Sequence, residues 1–529
     1  MALLKKWDLN RGGNTDIANE GERPDILAKI QRDLERIPRR EIIDILIQYF
    51  VFELSWMKQL VHVPSFLTHY QRWWTESNPL SVRHTEFAVL IIRICAYAAQ
   101  FLPSISHPAD SINGLSVPQI RRTCIELGNS LSESCLTLDW KGSLVRAQHI
   151  LFAALNSSCE GRTDKFWEGI ASASRAAQKA GLHTASSVSA SGDAGQFEKE
   201  MQRRTFCNLY LLDSHLSRQL DRVPFLPDDL VTEMLPQLRL ASTTETEAET
   251  NNSSTYTPPP ELFTERLMQV RLGIFWRKIK PAHIHKTPYD PTTAEARYES
   301  FCNSYLPTLH PALTLNNPNT TWDSSLPHLP KQRALLAIGV LDSVAANFRP
   351  LLLLTPIQIA QMPMYKRVLL TSQKAKLAHA ALEELDAITT LHTMMSDGGP
   401  TRFAAIIFNS FESAVLLLTL IQQPDFPFEL AGDGDEDEST ILGRRVTKLT
   451  YAKVFNAVEK ALIRLRMLSS VSEMARSGAG VVETLFDRAK PKANARSHFE
   501  SEVQAITLNG LVESAGEGSI VPDDAGGGG

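Results

Sequence analysis

Along most of this chain, apolar residues recur at the spacing of one helix face, and short polar or glycine-containing runs separate one such stretch from the next. The clearest case starts at Phe166, where Trp167, Ile170, Ala171, Ser174, Ala177 and Gln178 fall at i, i+3, i+4 positions until Gly181. Gly181 suits the left-handed residue that closes a helix, and Leu182 beyond it can fold back onto the last turn. After a Ser/Gly/Ala-rich loop over 186–195, a second helix is predicted from about Gln196. Glu198, Glu200, Arg203 and Arg204 are expected to mark its wet side, with Glu200 and Arg204 in the favourable acid-first i, i+4 order. Phe206, Leu209, Leu212, Asp213, Leu216 and Leu220 continue one face until Pro224 ends the run. Asp213 therefore lies near an apolar seam and needs a cation or hydrogen-bond donors, with Arg203, Arg218 and Arg222 as candidates.

The same periodicity predicts a helix opening at Pro38 with Ile42, Ile43, Leu46, Ile47 and Phe50 on one face. Pro64 is expected to set a turn and Ser65 to cap the helix that carries Phe66 and Trp73 inward. Further helices are predicted over 84–100, 117–136, 144–155, 262–279, 333–348, 366–391, 403–421 and 451–475. No stretch of the first half reads as a strand pair with a hairpin turn. Residues 241–260 change to Thr, Glu, Ser and Asn followed by three prolines and read as an exposed loop, and 281–330 reads as a Pro-rich span between helices.

Several of these segments carry a recognisable order: Trp167, Ala-Gly-Leu-His at 180–183, Glu200, Arg203-Arg204, Tyr210, Leu212-Asp213, Ser217, Asp221-Arg222-Val223-Pro224 and Leu235-Pro236. Together they resemble the regulatory, or middle homology, domain of fungal zinc-cluster transcription factors. The earlier His62-Val63-Pro64-Ser65-Phe66 run and the later Phe403–Ala414 helix are similar to the same family, so the resemblance spans roughly 37–480. The chain departs from the family pattern at Ser214 and at Asp221-Arg222-Val223-Pro224, which stands where the family has a Gly-Arg-Pro turn. The resemblance implies that Trp167, Gly181, Leu182, His183, Glu200, Arg203, Arg204, Asp213, Ser217, Arg222, Pro224 and Pro236 are structural motif residues. For His183 the expected role is a hydrogen bond to a neighbouring backbone group rather than ligand sensing.

Composition adds limits. The chain has 529 residues, 43% hydrophobic and 21% charged, with a formal net charge of −5. That balance argues against a DNA-coating surface, because phosphate binding needs clustered Lys and Arg. The six cysteines are scattered singly without a Cys-x-x-Cys pair, which points to buried free thiols in a reducing compartment. No apolar run near the N-terminus has the length of a signal peptide, and the stretch 87–102 is too short to span a bilayer, so an intracellular product without a membrane association is expected.

No catalytic motif is found: no phosphate-binding loop, nucleophile elbow, zincin helix or dinucleotide fingerprint. Asp228-Asp229 lacks the third acid a magnesium site requires and reads as a solvated turn, and His283 with His285 lacks a third metal ligand. The acidic run 433–438 reads as a hydrated loop before an activation surface, and Arg488, Lys490, Lys492 and Arg496 as a solvated tail before a nuclear address. The paired cysteine groups of a zinc cluster are missing, so this chain by itself is expected to bind neither zinc nor a specific DNA site.

The resulting expectation is an all-α regulatory module: a flexible lead-in over 1–36, a domain over 37–487 whose core motif is 140–236, and a disordered tail over 488–529. By resemblance it controls transcription in the nucleus, without catalytic, metal-binding or DNA-binding residues and without a cofactor. Its partners would be the transcription machinery or a DNA-binding protein, a homo- or heterodimer mate, and a small-molecule effector. The rival reading, a helical enzyme or ligand-binding protein, requires acids or histidines converging in a cavity, and no such set is visible along the sequence.

Overall fold

The computed structural model describes residues 23–75, 81–102, 111–112, 114–184, 193–228, 230, 232–237, 239–240, 258–279, 288–395, 398–428, 440–442, 444–445 and 448–490. The lead-in up to residue 22, most of the loop 186–195, Asp229, the loop 241–257, His283, His285, the acidic run 433–438, Lys492, Arg496 and the tail from 491 lie outside the described residues.

The fold is all-α. Its helices are α1 (Arg23–Glu35), α2 (Arg40–Tyr49), α3 (Val63–Trp73), α4 (Val82–Ala98), α5 (Val117–Leu138), α6 (Leu144–Cys159), α7 (Thr163–Lys179) and α8 (Asp193–Leu220). They continue as α9 (Thr264–Ile279), α10 (Pro291–Ser300), α11 (Leu329–Phe348), α12 (Met364–Met394), α13 (Ala404–Leu420) and α14 (Tyr451–Leu468), with a last helix over 473–490. Single π-helical turns, Phe50–Leu54 and Phe301–Tyr305, extend α2 and α10. Hydroxyl side chains start many of them: Ser81, Ser116, Ser143 and Thr450 accept from the backbone N–H of His84, Gln119, Arg146 and Lys453. The strand content among the described residues is two small antiparallel pairs, Ser111–Ile112 with Leu115–Ser116 and Thr440–Ile441 with Arg444–Arg445.

Packing runs as a chain of neighbours. Helix α5 lies against α1 and α4, α6 against α4 and α7, and α8 against both α6 and α7. On its other side α8 meets α9, α9 meets α11, and α11, α12, α13 and α14 follow in turn. Helix α8 thus joins an N-terminal group of helices to a C-terminal group, and one continuous apolar core runs through both. The segment Leu329–Leu353 is long and apolar enough to cross a membrane, but 67% of its most apolar window is buried inside the fold, as suits a central core helix.

Four local expectations are corrected. His62, not Ser65, caps α3: the Ser65 N–H donates to His62 Nδ1 at 3.4 Å. The Pro-rich span contains α10, because Pro291 fits the first helical turn and Asp290 accepts from the Thr293 N–H at 3.0 Å. The final helix is divided, since α14 stops at Leu468 and the chain resumes at 473. A two-residue strand pair sits in the first half, too short to leave an alternating signal.

Candidate functional site

The segment after α8 returns along that helix and is strapped to it. Asp213 Oδ1 accepts from the Phe225 N–H at 3.0 Å and Oδ2 from the Leu226 N–H at 2.9 Å. The Tyr210 hydroxyl donates to the Asp228 carbonyl at 2.8 Å, and Arg203 Nε donates to the Glu233 carbonyl at 3.0 Å. At the far end Glu200 Oε2 accepts from the Gln237 N–H at 3.0 Å. Contacts that step down the helix while stepping up the strap define an antiparallel ladder between α8 and residues 225–237. Thirteen residues separate Asp213 from Glu200, about 20 Å along a helix, so two carboxylates pin the two ends of the strap.

Neither carboxylate is exposed, and each is matched by a cation. Arg204 Nε donates to Glu200 Oε1 at 2.9 Å, and Arg204 Nη2 reaches Glu261 at 2.6 Å, which ties α8 to the start of α9. The expected wet side is therefore corrected: Glu200 and Arg204 are buried, because the returning strap covers them. The cation on Asp213 is also not one of those expected. Arg277 of α9 donates to Asp213 Oδ2 at 2.8 Å and to the Leu226 carbonyl at 3.0 Å, with its guanidinium 4.4 Å from the centre of the Tyr210 ring. Arg218 instead pairs with Asp342 of α11, and Arg222 stacks over the half-exposed Trp167 ring at 5.3 Å.

The helix ends are built as follows. Gly181 has φ of 74°, and the Leu182 N–H returns to the Ala177 carbonyl at 2.9 Å, so α7 closes with the paired 6→1 and 5→2 bonds of a glycine stop. Helix α8 closes in the same manner on Asp221, with φ of 51° and the Arg222 N–H donating to the Ser217 carbonyl at 2.9 Å. Ser217 Oγ donates to the Asp213 carbonyl at 2.5 Å. Pro224 and Pro236 are half-buried and bracket the strap. His183 is exposed, and the backbone hydrogen bond expected of it has no counterpart among the described residues.

Instead, His183 and Gln178 stand at the mouth of a cavity of about 300 Å³ lined by Phe206 of α8 and by Leu226, Pro227, Leu230 and Met234 of the strap. Its walls are apolar, and the two side chains at its mouth supply the donors and acceptors.

A second constellation was not legible along the sequence. Lys58, Glu265, Arg266, His215, Arg218, Asp342 and Glu384 converge where the two groups of helices meet. Glu384 accepts from Asn409 Nδ2 at 2.6 Å and Ser413 Oγ at 2.7 Å. Burial, then the Asp342 charge, pushes its carboxyl up to about 8. Burial, then the Arg266 charge, pulls the Lys58 ammonium down to about 7. These residues come from widely separated segments, and no spacing rule links them. Among the described residues no group of three or more His, Cys, Asp or Glu has an arrangement that holds a metal. All six cysteines are free, and burial raises their thiols.

Compared with known proteins, the chain matches the model of the fungal specific transcription factor domain over residues 46–293. It is 51% identical over 515 residues to "Transcription factor xilB" of Penicillium rubens, covering 96% of this chain and 74% of that protein. It is 36% identical over 498 residues to "Probable transcription factor sol4" of Alternaria solani, covering 92% of this chain and 85% of that protein.

Proposed function

Since the chain belongs to the family of fungal-specific transcription factors, we propose that it acts as the regulatory module of a pathway-specific regulator of RNA polymerase II transcription in the nucleus. The observation that carries this reading is the likeness to two transcription factors over more than nine-tenths of the chain. In this reading DNA is reached through a DNA-binding partner, a dimer mate, or a zinc cluster outside this sequence. The motif residues other than His183 are scaffold. Asp213 and Glu200 hold the strap, Arg204 fixes α9 to α8, and the two left-handed helix stops set where the strap begins. The domain expected over 37–487 also takes in α1 from the lead-in, because α1 is seated on α5.

The module carries no catalytic role here. In its charged interior Arg218 pairs with Asp342, and Glu384 accepts from Asn409 and Ser413, an arrangement that fits ion pairing and hydrogen bonding rather than a nucleophile next to a base. The test is a full-length fusion to an unrelated DNA-binding domain in a fungal host carrying the matching reporter. Expression should rise or fall severalfold, and a fluorescent fusion should concentrate in the nucleus. An unchanged reporter together with exclusion from the nucleus would overturn the reading, and so would turnover of a small substrate by the purified chain.

A further inference from the structure

The strap over 225–237 follows α8 without packing down onto it along its whole length. Its ends are fixed by the Asp213 and Glu200 carboxylates, and between them the Asp228 and Glu233 carbonyls accept from the Tyr210 hydroxyl and Arg203 Nε. Polar ties to its backbone hold the segment at a set distance from the helix, so its apolar side chains need not close every gap. The gap that remains is the cavity of about 300 Å³, whereas protein interiors ordinarily leave few voids larger than a water molecule.

The side chains that line it keep surface for an occupant to touch. Leu230 and Met234 each retain 9% of theirs, and Pro227, Gln178 and His183 are exposed. The glycine stop of α7 sets this up, because Leu182 folds back onto the helix and leaves the next residue, His183, at the mouth. Neither the His183 imidazole nor the Gln178 amide has a hydrogen-bond partner among the described residues. No Asp, Glu, Lys or Arg lines the cavity among those residues either; Lys199, Arg203 and Glu233 line a separate narrow cleft that shares only Met234 with it. Water in such a space finds few hydrogen-bond partners, and an ion would lose hydration without gaining a counter-charge. A mostly apolar, uncharged molecule suits the walls, and one polar group on it suits the mouth. Filled at the density of a protein interior, the space takes roughly ten to fifteen non-hydrogen atoms.

We propose that this cavity binds an uncharged, largely apolar small molecule of about that size, whose single hydroxyl or carbonyl group hydrogen-bonds to His183 and Gln178. Such an occupant touches the end of α7, α8 and the strap at once, so it biases how the three sit together. Calling the site an effector site rests on the regulatory reading above, to which it adds a chemical class and a place.

The test is equilibrium dialysis of the purified full chain at pH 7 against 2-naphthol, with naphthalene and 2-naphthalenesulfonate as its apolar and charged counterparts. 2-Naphthol should bind one to one, at least about tenfold tighter than the sulfonate. It should also bind about fivefold tighter than naphthalene, the gain expected of one hydrogen bond. Absence of saturable binding, or equal affinity for the sulfonate, would overturn the proposal. Leu230→Trp fills the cavity and should weaken 2-naphthol binding at least about tenfold; unchanged affinity in a variant that keeps its melting temperature also overturns it. The double variant Gln178→Ala, His183→Ala alters exposed side chains alone, so it should fold, bind naphthalene as before and lose the preference for 2-naphthol. A preserved preference removes the two residues from the site and with them the proposal. If the DNA-tethered fusion alters the reporter while 2-naphthol does not bind, the cavity proposal fails alone. If 2-naphthol binds as described while the reporter is unmoved and the fusion stays out of the nucleus, the cavity stands and the regulatory reading fails.

Discussion

Arg277 reaches from α9 to donate to Asp213 on α8 across 2.8 Å, and the same carboxylate accepts the backbone N–H groups of Phe225 and Leu226. One side chain thereby fastens a helix, its neighbour and the start of the strap. Asp213→Ala should lower unfolding stability by about 3–5 kcal/mol, because it leaves the buried Arg277 guanidinium without its counter-charge and the Phe225 and Leu226 N–H groups without acceptors. Adding Arg277→Met to that variant should recover part of the loss, since the stranded charge is then gone. Urea unfolding of the four proteins in the cycle measures the coupling; strictly additive losses would mean that the pair does not act as a unit.

Glu384 gives the interior a pH dependence of definite sign. Burial and the nearby Asp342 charge raise its carboxyl from 4.5 to about 8, so between those values the folded chain binds a proton that the unfolded chain has released. This contribution to stability is complete below about pH 4.5 and is lost as pH rises through about 8, at no more than about 1.4 kcal/mol per pH unit. Glu384→Gln keeps a neutral group between Asn409 and Ser413 and should match the parent at low pH while exceeding it above pH 8. Melting temperatures across pH 5–9 for both proteins test this, and a constant difference would refute it.

Helix periodicity was readable wherever an apolar face alternates with water, as along α7, and the glycine stop at Gly181 needed only its lack of a Cβ to be recognised. The requirement that Asp213 have a cation was readable too, because its neighbours are apolar. The identity of that cation was not: Arg277 lies 64 residues further on, and only the packing of α9 on α8 brings it near. Glu200 and Arg204 misled for the same reason, since a segment folding back over a helix turns its wet side into an interior. The charged cluster left no trace in the sequence, because Lys58, His215, Glu265 and Asp342 stand on four separate segments.

Thiol reactivity should follow burial. Cys124, Cys135, Cys159 and Cys207 are pushed up to about 12 and Cys95 well above its ordinary value, each chiefly by loss of hydration, whereas Cys302 is only half-buried. Ellman's reagent at pH 8 should leave the native chain nearly unmodified, with Cys302 reacting first, and should titrate all six thiols in guanidinium chloride. Rapid native modification of any of the other five, or fewer than six thiols after denaturation, would contradict the fold's account of them.

Asp221 occupies the left-handed position that closes α8, with φ of 51°, where the glycine stop of α7 places Gly181 at 74°. A residue with a Cβ pays about 1 kcal/mol in that region, somewhat less for Asp, whose short polar side chain tolerates it. Glycine removes the strain but gives the unfolded chain more freedom. Asp221→Gly should therefore stabilise the chain by up to about 1 kcal/mol, and Asp221→Ala should destabilise it by about as much, because Ala keeps the Cβ without the polar group. The Arg222 N–H bond to the Ser217 carbonyl depends on this turn, so amide hydrogen exchange at Arg222 should slow in the glycine variant and quicken in the alanine variant. If both substitutions shift stability in the same direction, backbone strain at Asp221 is not what sets the end of α8.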